Sequence, residues 1–224
     1  MSLWDRFYMT FIFEDRWHYF AEGTLMTIIL TLLTFVIGTI LAAAICGLRM
    51  SENKIIKKII EVFNGFMVQI PTLVLLMIFL YLVFADTDIS VTSICIIGLS
   101  MKNAAYLSDI FYTAICAVDK GEIEAARALG MSKTQAFVNV TLPQTVKNAL
   151  SLYQNEFVTC LQETSIVGSL AVDDLTKMSS VITSRTLDAL FCLICVSIIY
   201  IVMGYLGTAV ISVLGKDKHL EVKP

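Results

Sequence analysis

Four charged side chains stand where charge is expensive. Lys102 and Asp109 interrupt one apolar stretch, and Glu156 and Glu163 interrupt another. Members of each pair are seven residues apart, so each pair shares one face of a helix. A charge at the centre of a bilayer costs about 2.5–3.5 kcal/mol on insertion scales, so each group should face an opposite charge or a water-filled path. The two stretches are read below as antiparallel. At about 1.5 Å per residue, Lys102 and Glu156 then lie roughly 20 Å from the same surface and could meet near the midplane. Two chemistries fit them. They form an ion pair that ties the two helices together, or, with Asn103 and Gln162 beside them, they recognise opposite charges on a ligand.

Covalent chemistry has less support. There is no Gly-x-x-x-x-Gly-Lys-Ser/Thr segment to cradle a nucleotide phosphate, no Ser/His/Asp set, and the two histidines, His18 and His219, lie at opposite ends. Six cysteines sit in apolar surroundings. Cys192 and Cys195 have Cys-x-x-Cys spacing but fall inside the most hydrophobic stretch, where a thiolate is disfavoured, so packing is the expectation and neither metal nor disulfide is assigned. The chain is therefore not expected to be an enzyme or to bind a cofactor.

Hydrophobic residues make up 57% of the 224 positions and charged ones 16%. Mean hydropathy is +0.79. Soluble domains hold about 45–50% apolar residues, so the class is a polytopic, all-α membrane protein of one domain. A net charge of −3 with no basic, aromatic-interleaved patch argues against nucleic acid.

One stretch stands apart from the apolar ones. Glu124-Ala-Ala-Arg-Ala-Leu-Gly130 is followed after nine residues by Val140-Thr-Leu-Pro143. Asp119 and Glu122 read as an N-cap and N3 pair, and Gly130 is the type that ends a helix in the left-handed conformation. Ser132 and Gln135 repeat the capping pattern, and Pro143 should end or kink the second helix. The result is a short helical hairpin at the membrane surface. Small Ala125 and Ala126 would admit a partner's backbone, and Glu124 would anchor the contact.

Around the hairpin the chain falls into five spans. Residues 1–22 mix aromatics with Asp5, Arg6, Glu14, Asp15 and Arg16, which suits an interfacial segment outside the membrane. The first span covers Gly23 to Leu48. Its Thr24, Thr27, Thr31, Thr34, Gly38, Ala42 and Cys46 form a small-residue face for close helix contact. A basic loop (Arg49, Lys54, Lys57, Lys58) leads to a second span, Val62 to Ala85, interrupted by Gly65 and Pro71, which should kink it. The third runs from about Ile89 to Val118. A fourth, less hydrophobic, runs from about Gln144 to Leu170, and a polar loop carries Asp173, Asp174, Lys177 and Arg185. The fifth covers Ala189 to Gly215, where Gly204, Tyr200, Tyr205, Thr208 and Ser212 give a small and polar packing stripe. Met67, Met77 and Met101 are expected as core filler. Residues 23–215 then form the transmembrane domain, with its hairpin at about 119–143, and 216–224 a tail. With the N-terminus outside, only Arg6, Arg16, Lys177 and Arg185 of the sixteen Lys and Arg fall outside. This asymmetry places the hairpin and the C-terminus in the cytoplasm.

The hairpin residues Glu124, Ala125, Ala126, Gly130, Val140, Leu142 and Pro143 fill every fixed position of a known signature. They resemble the cytoplasmic loop of bacterial ABC importer permeases, where it is the coupling helix that docks on the ATPase. Gly23-Thr-Leu-Met-Thr-Ile-Ile-Leu-Thr-Leu-Leu-Thr34, Ala104-Ala-Tyr-Leu-Ser-Asp-Ile-Phe111, Asn155-Glu-Phe157 and Glu163-Thr-Ser165 resemble the polar amino-acid branch. The chain departs from that branch at Val68-Gln-Ile-Pro71, usually Arg-Gly-Thr-Pro, and at Tyr112-Thr-Ala114, usually Arg-Gly-Gly. The resemblance implies a five-helix, type I permease fold in the cytoplasmic membrane. It implies two ATPase subunits that carry the ATP and Mg, a second permease copy or paralogue, and an external solute-binding protein. On this reading Lys102, Asn103, Asp109, Glu156, Gln162 and Glu163 are candidates to line the path of a polar, zwitterionic amino acid. The same machinery carrying another small organic solute is the alternative, as is a non-transporting membrane scaffold that recruits an ATPase.

Overall fold

A computed structural model of the chain describes residues 2–215. The expected tail, with Lys216, Lys218 and Lys223, lies outside the described residues. Helices α1 (Leu3–Phe7), α2 (Trp17–Arg49), α3 (Lys54–Gln69), α4 (Thr72–Ile78), α5 (Val91–Cys116), α6 (Lys120–Ala128), α7 (Lys133–Ala136), α8 (Leu142–Thr164), α9 (Leu175–Thr186) and α10 (Ala189–Gly215) follow in order. Three of them, α2, α5 and α10, are long and apolar enough to cross a membrane, and α3 with α4 could make a fourth crossing. At 23 residues α8 is long enough for a fifth, but Lys147, Glu156 and Glu163 dilute its hydropathy.

The small-residue face of α2 does what its composition implies. Thr27, Thr31, Thr34, Ala42 and Cys46 are buried, and α2 lies along α5. At Gly38 an added Cβ would overlap the Asn103 side chain of α5, and at Gly23 it would come within 2.8 Å of the Leu175 backbone of α9. These close approaches set the helices' separation. Phe35, Leu107, Phe157 and Cys160 fill the middle of the bundle, and Leu30, Leu76, Leu99 and Val167 pack nearer one end. The outward faces of α2 and α10 remain apolar, as with Ile40 and Leu206, which suits contact with lipid tails.

Several expectations change here. The second span is interrupted at Pro71 as expected, but more sharply than a kink, since α3 and the helix from Thr72 to Val83 meet at 111°, and Gly65 lies within unbroken α3. Lys54, Lys57 and Lys58 belong to the first turns of α3, capped by Asn53, and not to a loop. The polar stretch after Leu170 is largely helix. Asp174 caps α9, and Leu175, Met178, Ser179 and Ile182 turn inward at helical spacing. Burial pushes the Asp174 carboxyl above the usual carboxylate range, against the pull of the Lys177 and Thr176 backbone N–H groups. Met77 and Tyr205 point outward, so Met77 is not core filler and Tyr205 leaves the packing stripe. Thr208 and Ser212 of that stripe meet α8, where Gln154 Nε2 donates to Thr208 O at 3.1 Å and Ser212 Oγ at 2.6 Å, while Tyr200 OH meets Thr176 Oγ1 of α9 at 3.2 Å.

Candidate functional site

The break at Ile70–Pro71 organises the first candidate site. Proline disfavours helical backbone in the residue before it, and Ile70 is extended (φ −74°, ψ 131°). Helix α3 therefore ends with carbonyls that no helical N–H can reach, and buried carbonyls of that kind need other donors. Side chains of α5 supply them. Tyr106 OH donates to Val68 O at 3.2 Å, and Lys102 Nζ donates to Ile70 O at 3.2 Å. Lys102 also donates to Thr72 Oγ1 at 2.5 Å, while Thr72 donates to Glu163 Oε1 at 2.7 Å. The Lys102 ammonium lies 3.2 Å from Glu163 Oε1, closing a compact charge-and-hydroxyl cluster.

This arrangement corrects the expected partner. Lys102 pairs with Glu163, not Glu156. The flexible lysine stem reaches across to the broken span, whereas Asn103, one position on and about 100° around the helix, faces α8. Asn103 Nδ2 donates to Glu156 Oε1 at 3.1 Å, so both carboxylates of α8 are held by α5 or its neighbours. Lys102 and Glu156 are buried, but the Glu163 side chain keeps 21% exposure and leaves the cluster one open edge. Gln162 is exposed and takes no part.

Asp109 belongs to a separate group two turns along α5. It is paired with Arg49 and accepts from Asn64 Nδ2 at 3.0 Å, and Asn64 also donates to Ser108 Oγ at 2.8 Å. The Arg49 guanidinium stacks 4.1 Å from the centre of the Tyr112 ring. Asp109 thus ties α5 to α2 and α3 and does not join Lys102. Sequence reasoning missed Thr72, Asn64 and the Ile70 carbonyl. The first and last had a signal in Pro71, since a proline in an apolar run frees the carbonyls before it. Asn64, a lone amide in such a run, was the signal for the other group.

The second candidate site is the hairpin. Helix α6 closes with Met131 N–H donating to Ala126 O at 3.2 Å and Gly130 N–H to Arg127 O at 3.1 Å, with Gly130 at φ 91°. That is the paired bonding of a Schellman stop. Asp119 caps α6 through Gly121 N–H at 2.8 Å, but Glu122 does not complete a capping box. It turns instead to Gln144 Nε2 and stitches α6 to the start of α8. Ser132 and Gln135 do form the reciprocal box. Glu124, Ala125, Gly130 and Leu142 are exposed, while Ala126 is buried inside the hairpin, so only one alanine of the expected pair is available to a partner. Pro143 neither ends nor breaks its helix. A wider turn over Phe137–Thr141, in which Leu142 N–H reaches back to Phe137 O, leads into Pro143 in the first turn of α8.

Comparisons with known proteins agree with this geometry. Residues 35–218 match the family described as binding-protein-dependent transport system inner membrane component. The chain is 33% identical over 186 residues to the probable amino-acid permease protein YxeN of Bacillus subtilis, covering 80% of this chain and 81% of that one. It is 28% identical to the histidine/lysine/arginine/ornithine transport system permease protein HisM of Escherichia coli, over 92% and 91% of the two chains. A crystal structure of an amino acid ABC transporter superposes with a TM-score of 0.79 at 32% identity, covering 88% of this chain and 93% of that one. The MetNI methionine ABC transporter shares the fold at a TM-score of 0.67 and 18% identity, with the same two coverages.

Proposed function

The chain belongs to the family of inner membrane components of binding-protein-dependent transport systems, and from that premise we propose that its cargo is a polar amino acid. The observation that carries this reading is the cluster at the broken span. A buried cation, Lys102, and a partly open anion, Glu163, are held 3.2 Å apart beside the end of helix α3. A zwitterion's ammonium can approach Glu163 from its open edge, and its carboxylate can share the Lys102 and Thr72 donors. Asn103 and Glu156 stand behind as a second polar layer. The amino-acid systems named for the relatives support the same class of cargo.

Energy comes from outside this chain. The complex holds two ATPase subunits, one of which docks on this chain's hairpin, with Glu124 and Ala125 on the contact face and Gly130, Leu142 and Pro143 shaping the turn and the helix entry. A second permease copy or paralogue completes the path, and an external binding protein delivers the cargo. The hairpin and C-terminus face the cytoplasm and the N-terminus the outside, as the distribution of Lys and Arg supports. ATP-driven closure of the ATPases moves the hairpins and alternates access to the cluster.

Uptake of labelled amino acids into proteoliposomes, with the chain, its ATPase and its binding protein reconstituted together, tests this. A panel of polar, apolar and charged amino acids should show ATP-dependent uptake of a polar one, lost in Glu163→Gln. Glu124→Lys should abolish copurification of the ATPase. Uptake of no amino acid by an assembled, ATP-hydrolysing complex points instead to another small solute, and an assembled complex that moves nothing is the scaffold.

A further inference from the structure

Helix α8 has an outward face unlike those of α2 and α10. Between Asn148 and Gln162 its exposed residues are Asn148, Ser151, Asn155 and Gln162, with Leu152 alone apolar among them, and half-buried Thr159 completes the line. The five polar residues follow one another at three or four positions, so they share one face of the helix. Thr159 Oγ1 donates to Asn155 O at 3.1 Å. The Asn148, Asn155 and Gln162 amides and the Ser151 hydroxyl make no side-chain hydrogen bond among the described residues, whereas Gln154, Glu156 and Glu163, on other faces of the same helix, all do.

Depth gives this face its meaning. Glu156, next to Asn155, is held by Asn103 at the middle of α5, a helix long and apolar enough to cross a membrane. From Asn148 to Gln162 the line rises about 21 Å, within a hydrocarbon core about 30 Å thick. Lipid tails offer no hydrogen bond, so free amides at that depth are costly against them. The outward faces of α2 and α10 solve this with apolar residues such as Ile40 and Leu206. Helix α8 does not, so its face meets water or a polar solute.

The two ends of the line say which way it leads. Gln162 directly precedes Glu163, whose side chain is the open edge of the charged cluster. Asn148 lies about a turn and a half beyond Pro143, close to the hairpin. Successive polar groups are about 4.5–6 Å apart along the axis, so a small solute can form one hydrogen bond before it gives up the last. None of the five is charged. Each step therefore binds weakly enough to release, as conduction through a series of sites requires.

We infer that this face of α8 is a wall of the solute path, leading from the Lys102–Glu163 cluster to the hairpin's side of the membrane, with Asn155 and Gln162 hydrogen-bonding the solute as it leaves the cluster. The inference rests on the reading that the cluster receives the cargo, and holds whether or not that cargo is an amino acid.

Thiol accessibility tests it in the chain reconstituted with its ATPase and binding protein in proteoliposomes. Asn148→Cys, Asn155→Cys and Gln162→Cys, with Ile40→Cys and Leu206→Cys as references, are treated with a methanethiosulfonate carrying a quaternary ammonium. Mass spectrometry of the labelled peptides separates these positions from the native cysteines. The three α8 positions should react at least about tenfold faster than the references, since a thiol raised by one pKa unit in hydrocarbon offers about tenfold less thiolate. Asn155→Leu and Gln162→Leu should each lower uptake from the panel of labelled amino acids about tenfold, the loss of one hydrogen bond during passage, with the ATPase still copurifying. Asn155→Gln should recover most of that loss. Labelling no faster than at Ile40→Cys, or unaltered uptake in both leucine variants, overturns the inference. So does a disulfide joining two copies through Asn155→Cys, since the face would then be an interface between copies. Fast labelling in a complex that takes up only a different solute keeps the wall and fails the amino-acid reading. Slow labelling in a complex that takes up a polar amino acid does the reverse.

Discussion

Pro71 and Pro143 each follow directly on an aliphatic residue, yet one breaks its helix and the other is absorbed. Before Pro71 the chain turns extended at Ile70, the axis swings by 111°, and α3 is left with free carbonyls. Before Pro143 the backbone stays helical at Leu142 (φ −62°, ψ −45°), because the turn over Phe137–Thr141 has already widened to make room for the ring. The difference lies in who satisfies the backbone. Near Pro71, α5 brings Lys102 and Tyr106 to the orphaned acceptors. At Pro143 no foreign donor is needed. A break whose free carbonyls a neighbouring helix must satisfy thus becomes a polar site, and a proline already accommodated by its own helix becomes a structural detail.

The comparison breaks most visibly through Lys102. Lys102→Met leaves Glu163 without its cation and should destabilise the protein by about 3–5 kcal/mol, the usual penalty for an orphaned partner of a buried pair. Thermal unfolding in detergent reads this, and Lys102→Met with Glu163→Gln should recover much of the loss. A double variant no more stable than the single one would remove the pair from the account. Pro71→Ala comes next. Restoring an N–H there lets α3 extend and takes Ile70 O away from Lys102, and uptake should fall about tenfold, as the net loss of one charge-assisted hydrogen bond implies.

Effects at the hairpin are smaller. Gly130→Ala forces a Cβ into a φ of 91° and should cost roughly 1–2 kcal/mol. It should appear as faster hydrogen exchange across Lys120–Ala128 and weaker copurification of the ATPase. Ser132→Ala removes half of a formed capping box and should cost about 1 kcal/mol, seen as fraying at Lys133–Gln135. Pro143→Ala closes the series, with a stability change within about 0.5 kcal/mol and the smallest loss of uptake. Equal losses from Pro71→Ala and Pro143→Ala would erase the distinction between the two prolines.

What could be read in advance follows the same line. The uncharged run from Ala189 to Gly215 coincides with α10, and the caps at Asp119 and Ser132 and the stop at Gly130 stand where their local chemistry puts them. Those features depend on neighbours a few residues away. Helix α9 was hidden because Asp173, Lys177 and Arg185 masked an inward stripe of only four residues. The partner of Lys102 was hidden for a different reason. Equal depth suggested Glu156, but a long side chain follows the free acceptors, and those were created by a proline thirty-one residues away.

From Lys133 to Thr164 the backbone stays helical without a loop, a path of about 48 Å that includes the wide turn over Phe137–Thr141. One end is the hairpin's second arm and the other carries Glu163. A swing of only about 5° at the base would carry the far tip sideways by about 4 Å at that length, further than the 3.2 Å between the Lys102 ammonium and its carboxylate. One continuous helical path can therefore open a charge contact at a distance, with no relay of intermediate side chains.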